Sequence, residues 1–496
     1  MSSLTHADWV KLAGEVQHRN QAFIGGRFVE SLSGKTYENR NPATGELLAH
    51  VDLSDEADVD RAVRAARATF DSGVWSRTGV TERKKAILKF ADLLEKNIAE
   101  LSLLDSLDMG KRVIDAHEFE LPFSIDLFRY YAEAIDKLND EIAPTPPNTL
   151  ALIRRVPLGV VAAVIPWNYP VDMLAWKLAP ALAAGNSIVL KPARESPSSA
   201  LRLAEIAAEA GIPDGVINVV PGTGQVTGKA LGMHPDVNCL AFTGSTEVGH
   251  LFQRYSAESN LKQVWLELGG KSPLVVFADA DDLEQTARQS AFDISYNQGA
   301  VCSSHTRVLV ERSVQDEFVN LVSKFLEEYA PGDPLNPASG MGAISSPGHT
   351  SNVMGFIDRA KQISDLVVGG SQLTINGSDN FIEPTVFNNV DPNSELAKDE
   401  IFGPVLAVTP FSTEEEAIAL ANDSQYGLAA SVATGSLSRA HRMADSLQAG
   451  TVTVNGVDAL SAVTPFGGFK GSGFGRDLSL HALDKYVGLK TVWINY

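Results

Sequence analysis

The run Tyr296-Asn297-Gln298-Gly299-Ala300-Val301-Cys302-Ser303-Ser304 holds one of the chain's two cysteines. An apolar, helix-compatible segment, Ala291 to Tyr296, leads into a glycine turn, and the β-rich run Thr306-Arg307-Val308-Leu309-Val310 follows the cysteine. A thiol at such a junction can reach a cleft and act as a nucleophile; an isolated cysteine can equally be a small buried hydrophobe. Upstream, Leu266-Glu267-Leu268-Gly269-Gly270-Lys271-Ser272-Pro273 sets a carboxylate among apolar neighbours, directly before a glycine pair. Desolvation there raises a carboxyl towards the range useful to a general base.

Three further groups fall where strands are expected to end: Pro166-Trp167-Asn168-Tyr169-Pro170, Lys191-Pro192-Ala193, and Thr243-Gly244-Ser245-Thr246-Glu247-Val248-Gly249. The neutral amide of Asn168 can donate to a developing oxyanion, a contribution of about 3 kcal/mol in a transition state. Lys191 can bond ribose hydroxyls, and Ser245 opens a helix whose backbone amides favour phosphate. Each alone is a weak signal, because glycines make turns and asparagine often caps a helix. Neither Gly222-Thr223-Gly224 nor Gly244 to Gly249 has the GxGxxG spacing of the common dinucleotide fingerprint.

The elements that must carry these residues alternate. Strand Val160 to Ile165, helix Met173 to Ala184, strand Ser187 to Leu190 and a helix through Leu203, Ile206, Ala207 and Ala210, closed by Gly211, are predicted in succession. Strand Val216 to Val220, a short helix and strand Asn238 to Phe242 continue the series, with the second cysteine, Cys239, expected to be buried. A second series starts at Leu274-Val275-Val276-Phe277 and takes in helix Leu283 to Tyr296, strand Arg307 to Val310 and helix Gln315 to Glu328. It resumes with strand Val405 to Val408, helix Glu414 to Ala421 and strand Gly450 to Val454. Such alternation predicts two α/β units with parallel sheets, their seam near Glu267 to Gly270 and the chemistry in the cleft between them.

Ahead of this lie a glycine-turned hairpin, Phe23 to Val29, and helices in which Val59, Ala62, Val63 and Ala66, then Ile87, Phe90, Ala91 and Leu94, share one face. The stretch Arg83-Lys84-Lys85 is expected on a solvated helix face. A helical region from Phe119 to Leu138 gives way to Ala143-Pro144-Thr145-Pro146-Pro147, and the strand Leu150 to Ile153 after it is expected outside the main sheet. The tail Thr491 to Tyr496 reads as an edge strand able to pair with a neighbouring subunit.

A net charge of -20 disfavours a nucleic-acid backbone or an anionic membrane as partner. Two cysteines give no disulfide framework, and no Cys and His cluster has zinc-ligand spacing. Residues 1 to 21 carry scattered charge without an apolar core, and no apolar run reaches the roughly 18 residues of a spanning helix, so a cytoplasmic protein is expected.

Taken together, the Glu267 and Cys302 stretches, Glu400-Ile401-Phe402-Gly403-Pro404-Val405 and Pro465-Phe466-Gly467-Gly468-Phe469-Lys470-Gly471-Ser472-Gly473 closely resemble the NAD(P)-dependent, non-phosphorylating aldehyde dehydrogenase superfamily over nearly the whole chain. The resemblance implies an α/β fold with two Rossmann-like domains and a small β oligomerisation domain. It places cofactor binding in 1–138 and 157–267, catalysis in 268–477 and assembly into a dimer or tetramer in 139–156 and 478–496. Cys302 would attack the aldehyde, Asn168 and the Cys302 amide would hold the oxyanion, and Glu267 would activate water to hydrolyse the thioester. Lys177 and Asp477 match positions proposed to relay the proton; the family often has glutamate at the latter, so Asp477 is a shorter substitute.

For NAD, the resemblance implies Trp167, Lys191, Gly224 and Ser245 at the adenosine and phosphates, with Ile165, Phe242, Gly244 and Leu268 beside them, and Glu400 and Phe402 at the nicotinamide half. Where the family often has a ribose-binding glutamate this chain has Arg194, followed by Glu195, so NADP is a second expected cofactor. The substrate tunnel would be walled by Tyr169, Asp172, Met173, Trp176, Tyr296, Val301, Ser303, Asp458 and Phe466. Asp172, where an apolar residue is common, either attracts a cationic tail together with Asp458, as in an ω-aminoaldehyde, or is a helix N-terminal residue facing solvent. The sequence also looks similar to the bacterial γ-glutamyl-aminobutyraldehyde and guanidinobutyraldehyde dehydrogenase branch. The alternatives are an arylacetaldehyde substrate such as indole-3-acetaldehyde, suited to Trp176, Tyr169 and Tyr296, and a catalytically silent binding protein, which would be expected to lose Cys302 or Glu267.

Overall fold

Five strands that are apolar almost throughout form the centre of the first sheet, in the order Ile217–Val219, Ser187–Lys191, Val160–Val164, Cys239–Thr243 and Gln263–Glu267, all parallel. The middle three are buried along their whole length, as parallel strands covered by helices on both faces must be. In this computed structural model, which describes residues 4–457 and 459–496, the strand order reverses between Val160–Val164 and Cys239–Thr243. Such a switch point leaves a crevice at the carboxyl ends of the strands. The hairpin Ala22–Ile24 and Arg27–Val29 closes one edge, with Gly25 and Gly26 at φ 61° and 82° taking the left-handed turn. Gly473–Phe474 closes the other edge, antiparallel to Gln263–Glu267.

The second sheet has seven strands, ordered Asp365–Val368, Thr385–Asn388, Val405–Phe411, Arg307–Glu311, Pro273–Val276, Ala429–Ala433 and Thr451–Val454, parallel apart from the first. A third sheet stands apart: Val487–Asn495 pairs with Thr149–Pro157, which pairs with Glu141–Ala143. The expected excursion is there, and the tail is an edge strand, paired within its own chain from Val487 to Asn495.

One expectation is corrected and one element is added. Arg83 does not stand in solvent with Lys85: its Nε is buried without a partner and Nη1 donates to the Thr78 carbonyl at 2.9 Å. The helix Ile98–Met109 escaped the periodicity because it is buried on every side from Leu101 to Met109, so its apolar residues mark no single face. Its Asp108 accepts bonds from Asn39, the Ser198 amide and the Ser198 hydroxyl, which is how a carboxylate survives there.

Candidate active site

Two cavities meet at Cys302 and Met173. The larger, about 570 Å³, occupies the crevice of the first sheet, and the smaller, about 210 Å³, runs from Cys302 between the Pro170–Ala184 helix and the segment around Glu120. The strand Val160–Val164 delivers Ile165, Trp167 and Asn168 to the crevice, Ser187–Lys191 delivers Lys191, Arg194 and Glu195, and Cys239–Thr243 delivers Gly244 and Ser245. Phe242, Gly224 and Leu268 complete the near wall, and Glu400 and Phe402 reach in from the second unit. All twelve residues expected to bind the cofactor therefore line one cavity. Sequence reasoning missed His349, whose ring lies 5.3 Å from Trp167 and whose Nε2 bonds the Phe402 carbonyl at 2.7 Å.

The walls suit a dinucleotide. Ser245 caps the thirteen-residue helix Thr246–Glu258, whose N-terminus faces the cavity. Gly269 leaves room for Glu400, since a Cβ there would lie 2.1 Å from Glu400 Oε2, and Glu400 Oε1 accepts the Gly270 amide at 2.9 Å. Burial pushes the Glu400 carboxyl up to about 7 and the Lys191 ammonium down to about 8. Arg194 is not loose in the cavity: its guanidinium lies 5.1 Å from the centre of the Tyr37 ring.

Cys302 follows three consecutive left-handed residues, Asn297, Gln298 and Gly299, with φ of 49°, 57° and 70°. That turn is fastened by amides. Asn168 Nδ2 donates to the Ala300 carbonyl at 2.9 Å, and Asn297 Nδ2 donates to the Asn168 and Ala300 carbonyls at 2.8 and 3.2 Å. An amide nitrogen carries two protons, so the bond to Ala300 leaves Asn168 Nδ2 with a second N–H.

Glu267 ends its strand, buried, and among the described residues it is in the wall of neither cavity. Its Oε1 packs where a Cβ on Gly467 would come within 2.7 Å. Burial, with Asp477 adding its charge, holds the Glu267 carboxyl well above the usual range, against the pull of Lys485 and Lys177. Behind it Asp477 pairs with Lys177 at 3.2 Å and with Lys485, which the sequence reading missed. Burial alone would raise the Asp477 carboxyl, yet the two ammonium groups hold it below the usual range. The shorter side chain thus still reaches Lys177.

Tyr169, Asp172, Met173, Trp176, Tyr296, Val301, Ser303 and Phe466 all line the smaller cavity; Asp458 lies outside the described residues. The solvent-facing alternative for Asp172 is overturned. It is buried in the first helical turn, where Oδ1 accepts Ser124 Oγ at 3.0 Å and Trp176 Nε1 at 3.1 Å. Burial, then the charge of Glu120, pushes its carboxyl up to about 7. Glu120, absent from the sequence reading, is a second carboxylate in the same wall; Lys111 pairs with it from behind and the Tyr296 hydroxyl donates to its Oε1 at 3.3 Å. Apart from Ser303 and Cys302 the remaining wall is apolar or aromatic, with Phe119, Phe123 and Leu460 added to the expected residues.

The comparisons agree with this geometry. The sequence profile of the aldehyde dehydrogenase family matches residues 28–492. The chain is 47% identical over 489 residues to the NADP/NAD-dependent aldehyde dehydrogenase PuuC of Escherichia coli, covering 99% of this chain and 98% of that protein. It is 47% identical over 495 residues to the aminoacetaldehyde dehydrogenase of Pseudomonas aeruginosa, covering 99% of each. Among solved structures, a mutant of P. syringae AldA indole-3-acetaldehyde dehydrogenase in complex with NAD+ and IAA superposes with a TM-score of 0.98, at 48% identity and full coverage of both chains.

Proposed function

The chain belongs to the aldehyde dehydrogenase family and oxidises an aldehyde with NAD(P); from the walls of its tunnel we propose that the aldehyde carries a cationic tail, as an ω-aminoaldehyde does. The observation behind the substrate is Asp172, a buried carboxylate lining an otherwise largely apolar tunnel that opens on Cys302, with Glu120 beside it. An ammonium group brought to these oxygens exchanges water for charge-assisted hydrogen bonds, while a neutral tail of equal length leaves a carboxylate without its counter-ion. The relative named as an aminoacetaldehyde dehydrogenase supports the same substrate class.

In the reaction we assign, Cys302 Sγ as thiolate attacks the aldehyde carbon, and the carbonyl oxygen takes the negative charge between Asn168 Nδ2 and the Cys302 amide. NAD(P), when bound in the larger cavity, would supply the two-electron acceptor for the hydride that the thiohemiacetal carbon must lose to become a thioester. Glu267, its carboxyl raised by burial, then accepts a proton from the water that attacks the thioester, and cleavage of the acyl C–S bond releases the acid and regenerates the Cys302 thiolate. Lys177 and Asp477, with Lys485, take the proton onward behind Glu267. Trp167, Lys191, Gly224 and Ser245 hold the adenosine and phosphate portion and Glu400 and Phe402 the nicotinamide ribose and ring. Arg194, steadied on Tyr37, allows NADP beside NAD.

The division into cofactor-binding 1–138 and 157–267, catalytic 268–477 and oligomerising 139–156 and 478–496 belongs to the same proposal, with a cytoplasmic dimer or tetramer as the working form. Its support is the separate three-stranded sheet, whose last strand exposes Leu489 and Trp493.

The test is NADH formation with 3-aminopropanal, 4-aminobutanal, an uncharged aldehyde of matching length and indole-3-acetaldehyde, with Cys302→Ala as control. A higher kcat/KM for the amino compounds is expected. The aromatic wall of Tyr169, Trp176 and Phe466 favours indole-3-acetaldehyde as the second substrate, and a preference for it would defeat the cationic-tail proposal.

A further inference from the structure

We propose that His305 is a positioning residue for Cys302, acting through a buried Asp293–His305–Ser431 chain; this rests on Cys302 being the nucleophile. His305 lies three residues after the cysteine, in a turn where the Ser304 amide donates to the Val301 carbonyl at 3.2 Å. Asp293 Oδ2 accepts both the backbone amide of His305, at 2.7 Å, and its ring Nδ1, at 2.8 Å. On the far side of the ring, Nε2 and Ser431 Oγ are 2.8 Å apart. A neutral imidazole with its proton on Nδ1 satisfies every partner: it donates to the carboxylate and accepts the serine hydroxyl proton.

The order Asp, His, Ser is that of a hydrolytic relay, but this one has no access to a substrate. Ser431 is 0% and His305 1% exposed, and neither lines the two cavities. Its partners show what it does instead. Asp293 sits near the end of the helix Leu283–Ser295, Ser431 in the middle of the strand Ala429–Ala433, and His305 on the loop between Cys302 and the strand Arg307–Glu311. One ring therefore ties the loop to a helix and to a strand at once. Ser304 Oγ adds a bond to the Asp293 carbonyl at 3.2 Å.

On the other side of the cysteine, Asn168 and Asn297 hold the Ala300 carbonyl. Only Val301, Cys302 and Ser303 lie between the two fastenings. In the preceding left-handed run the non-glycine residues, Gln298 above all, are sterically strained and persist there because their surroundings hold them. With the two bonds of the His305 ring gone, the loop keeps only the His305 amide and Ser304 bonds to Asp293 and loses its tie to the Ser431 strand, so the sulfur gains freedom relative to Asn168. A misplacement of about 1 Å at a reacting atom can cost on the order of 100-fold in rate.

The test measures kcat, KM for aldehyde and for NAD, and the rate at which iodoacetamide alkylates Cys302, in His305→Ala, His305→Asn and Ser431→Ala, with Cys302→Ala as reference. Expected in His305→Ala is a drop of about ten-fold or more in both kcat and alkylation, with KM for NAD within about two-fold. Asn can donate to Asp293 from the position of Nδ1, so His305→Asn should recover most of the loss, and Ser431→Ala should show a smaller loss in the same two readouts. Unchanged kcat and alkylation in the His305 and Ser431 variants would overturn the inference. So would losses that match the fraction of unfolded protein by thermal melting, with Asn no better than Ala. If instead Cys302→Ala keeps its activity, it is the assignment of the nucleophile that fails.

Discussion

Glu120 and Asp172 line the same tunnel, yet among the described residues only Glu120 makes an ion pair: Lys111 stands behind it, while the donors to Asp172 are the neutral Ser124 hydroxyl and Trp176 indole. Asp172 is accordingly the carboxylate that makes no ion pair of its own among the described residues, with Lys111 acting on it only from behind Glu120. Asp172→Asn keeps an oxygen for Ser124 and Trp176 but removes the charge. A charge-assisted hydrogen bond contributes about 1.5–3 kcal/mol, so the ratio of kcat/KM for 4-aminobutanal over its neutral match should fall about 10- to 100-fold. Glu120→Gln should lower the same ratio less, because Lys111 already offsets that charge. An unchanged ratio in Asp172→Asn would remove the basis for the cationic tail.

The pH dependence follows from the same contrast. Burial pushes the Asp172 carboxyl up to about 7, so it is largely neutral below that pH and ionised above it. A primary ammonium, by analogy with lysine, stays charged to about 10. The preference for aminoaldehyde over the neutral match should therefore climb as pH rises through about 7, then level off. In Asp172→Asn the ratio should be flat over the same range, measured as kcat/KM between about pH 6 and 8.5.

Cofactor choice turns on Arg194, whose guanidinium stacks on Tyr37 beside Glu195. Arg194→Ala should lower kcat/KM for NADP about ten-fold or more while leaving NAD within a few-fold, since only NADP offers a 2′-phosphate to pair with. Parallel losses with both cofactors would assign the arginine to the shape of the cavity.

How far the sequence disclosed the site depended on whether a residue sits in a local pattern. Asn168, Lys191 and Ser245 could be found because each ends a strand whose apolar run is unmistakable, and ligands gather at strand ends. The cysteine and glutamate stretches stood out by type and neighbours. Glu120 gave no such signal: it lies in a π-helical turn, Ala116–Glu120, leading into a longer helix, and its partner Lys111 precedes it in a segment with no periodicity. Lys485 was invisible for a related reason: it stands eight positions after Asp477, at the end of the 3-10 segment Leu480–Lys485, a spacing that no helix or strand period marks as a contact. Ser431 and His305 lie 126 positions apart, in elements that only the second sheet brings together. Buried polar pairs are tertiary facts, and hydrophobic periodicity carries no information about them.

Asp477 holds both Lys177 and Lys485 in a pocket that leaves the carboxylate 0% exposed. Asp477→Asn strands two buried ammonium groups. Breaking such a buried pair typically costs about 3–5 kcal/mol, so the unfolding midpoint should fall clearly. The folded fraction should also hydrolyse the thioester more slowly, seen as a burst of NADH followed by a reduced steady state. Asp477→Glu restores the charge and should recover the larger part of both. A normal steady state in Asp477→Asn would leave the pair a purely structural role.

Gly467 holds Glu267 at close quarters. Its φ is 154°, and a Cβ would lie 2.7 Å from both Glu267 Oε1 and the Gly475 carbonyl oxygen. Gly467→Ala must relieve both contacts, and the side chain of Glu267, softer than the backbone at Gly475, takes the larger displacement. Displacing it from Lys177 and Asp477 should slow thioester hydrolysis in the way Glu267→Gln does, with an NADH burst intact and steady-state turnover down on the order of 100-fold, the usual contribution of a general base. Because both changes act on one step through one carboxylate, the double variant should be hardly worse than Glu267→Gln alone. If the losses instead multiply, Gly467 acts on something other than Glu267, and an unaltered steady state in Gly467→Ala would show that the observed seat of the carboxylate is irrelevant to hydrolysis.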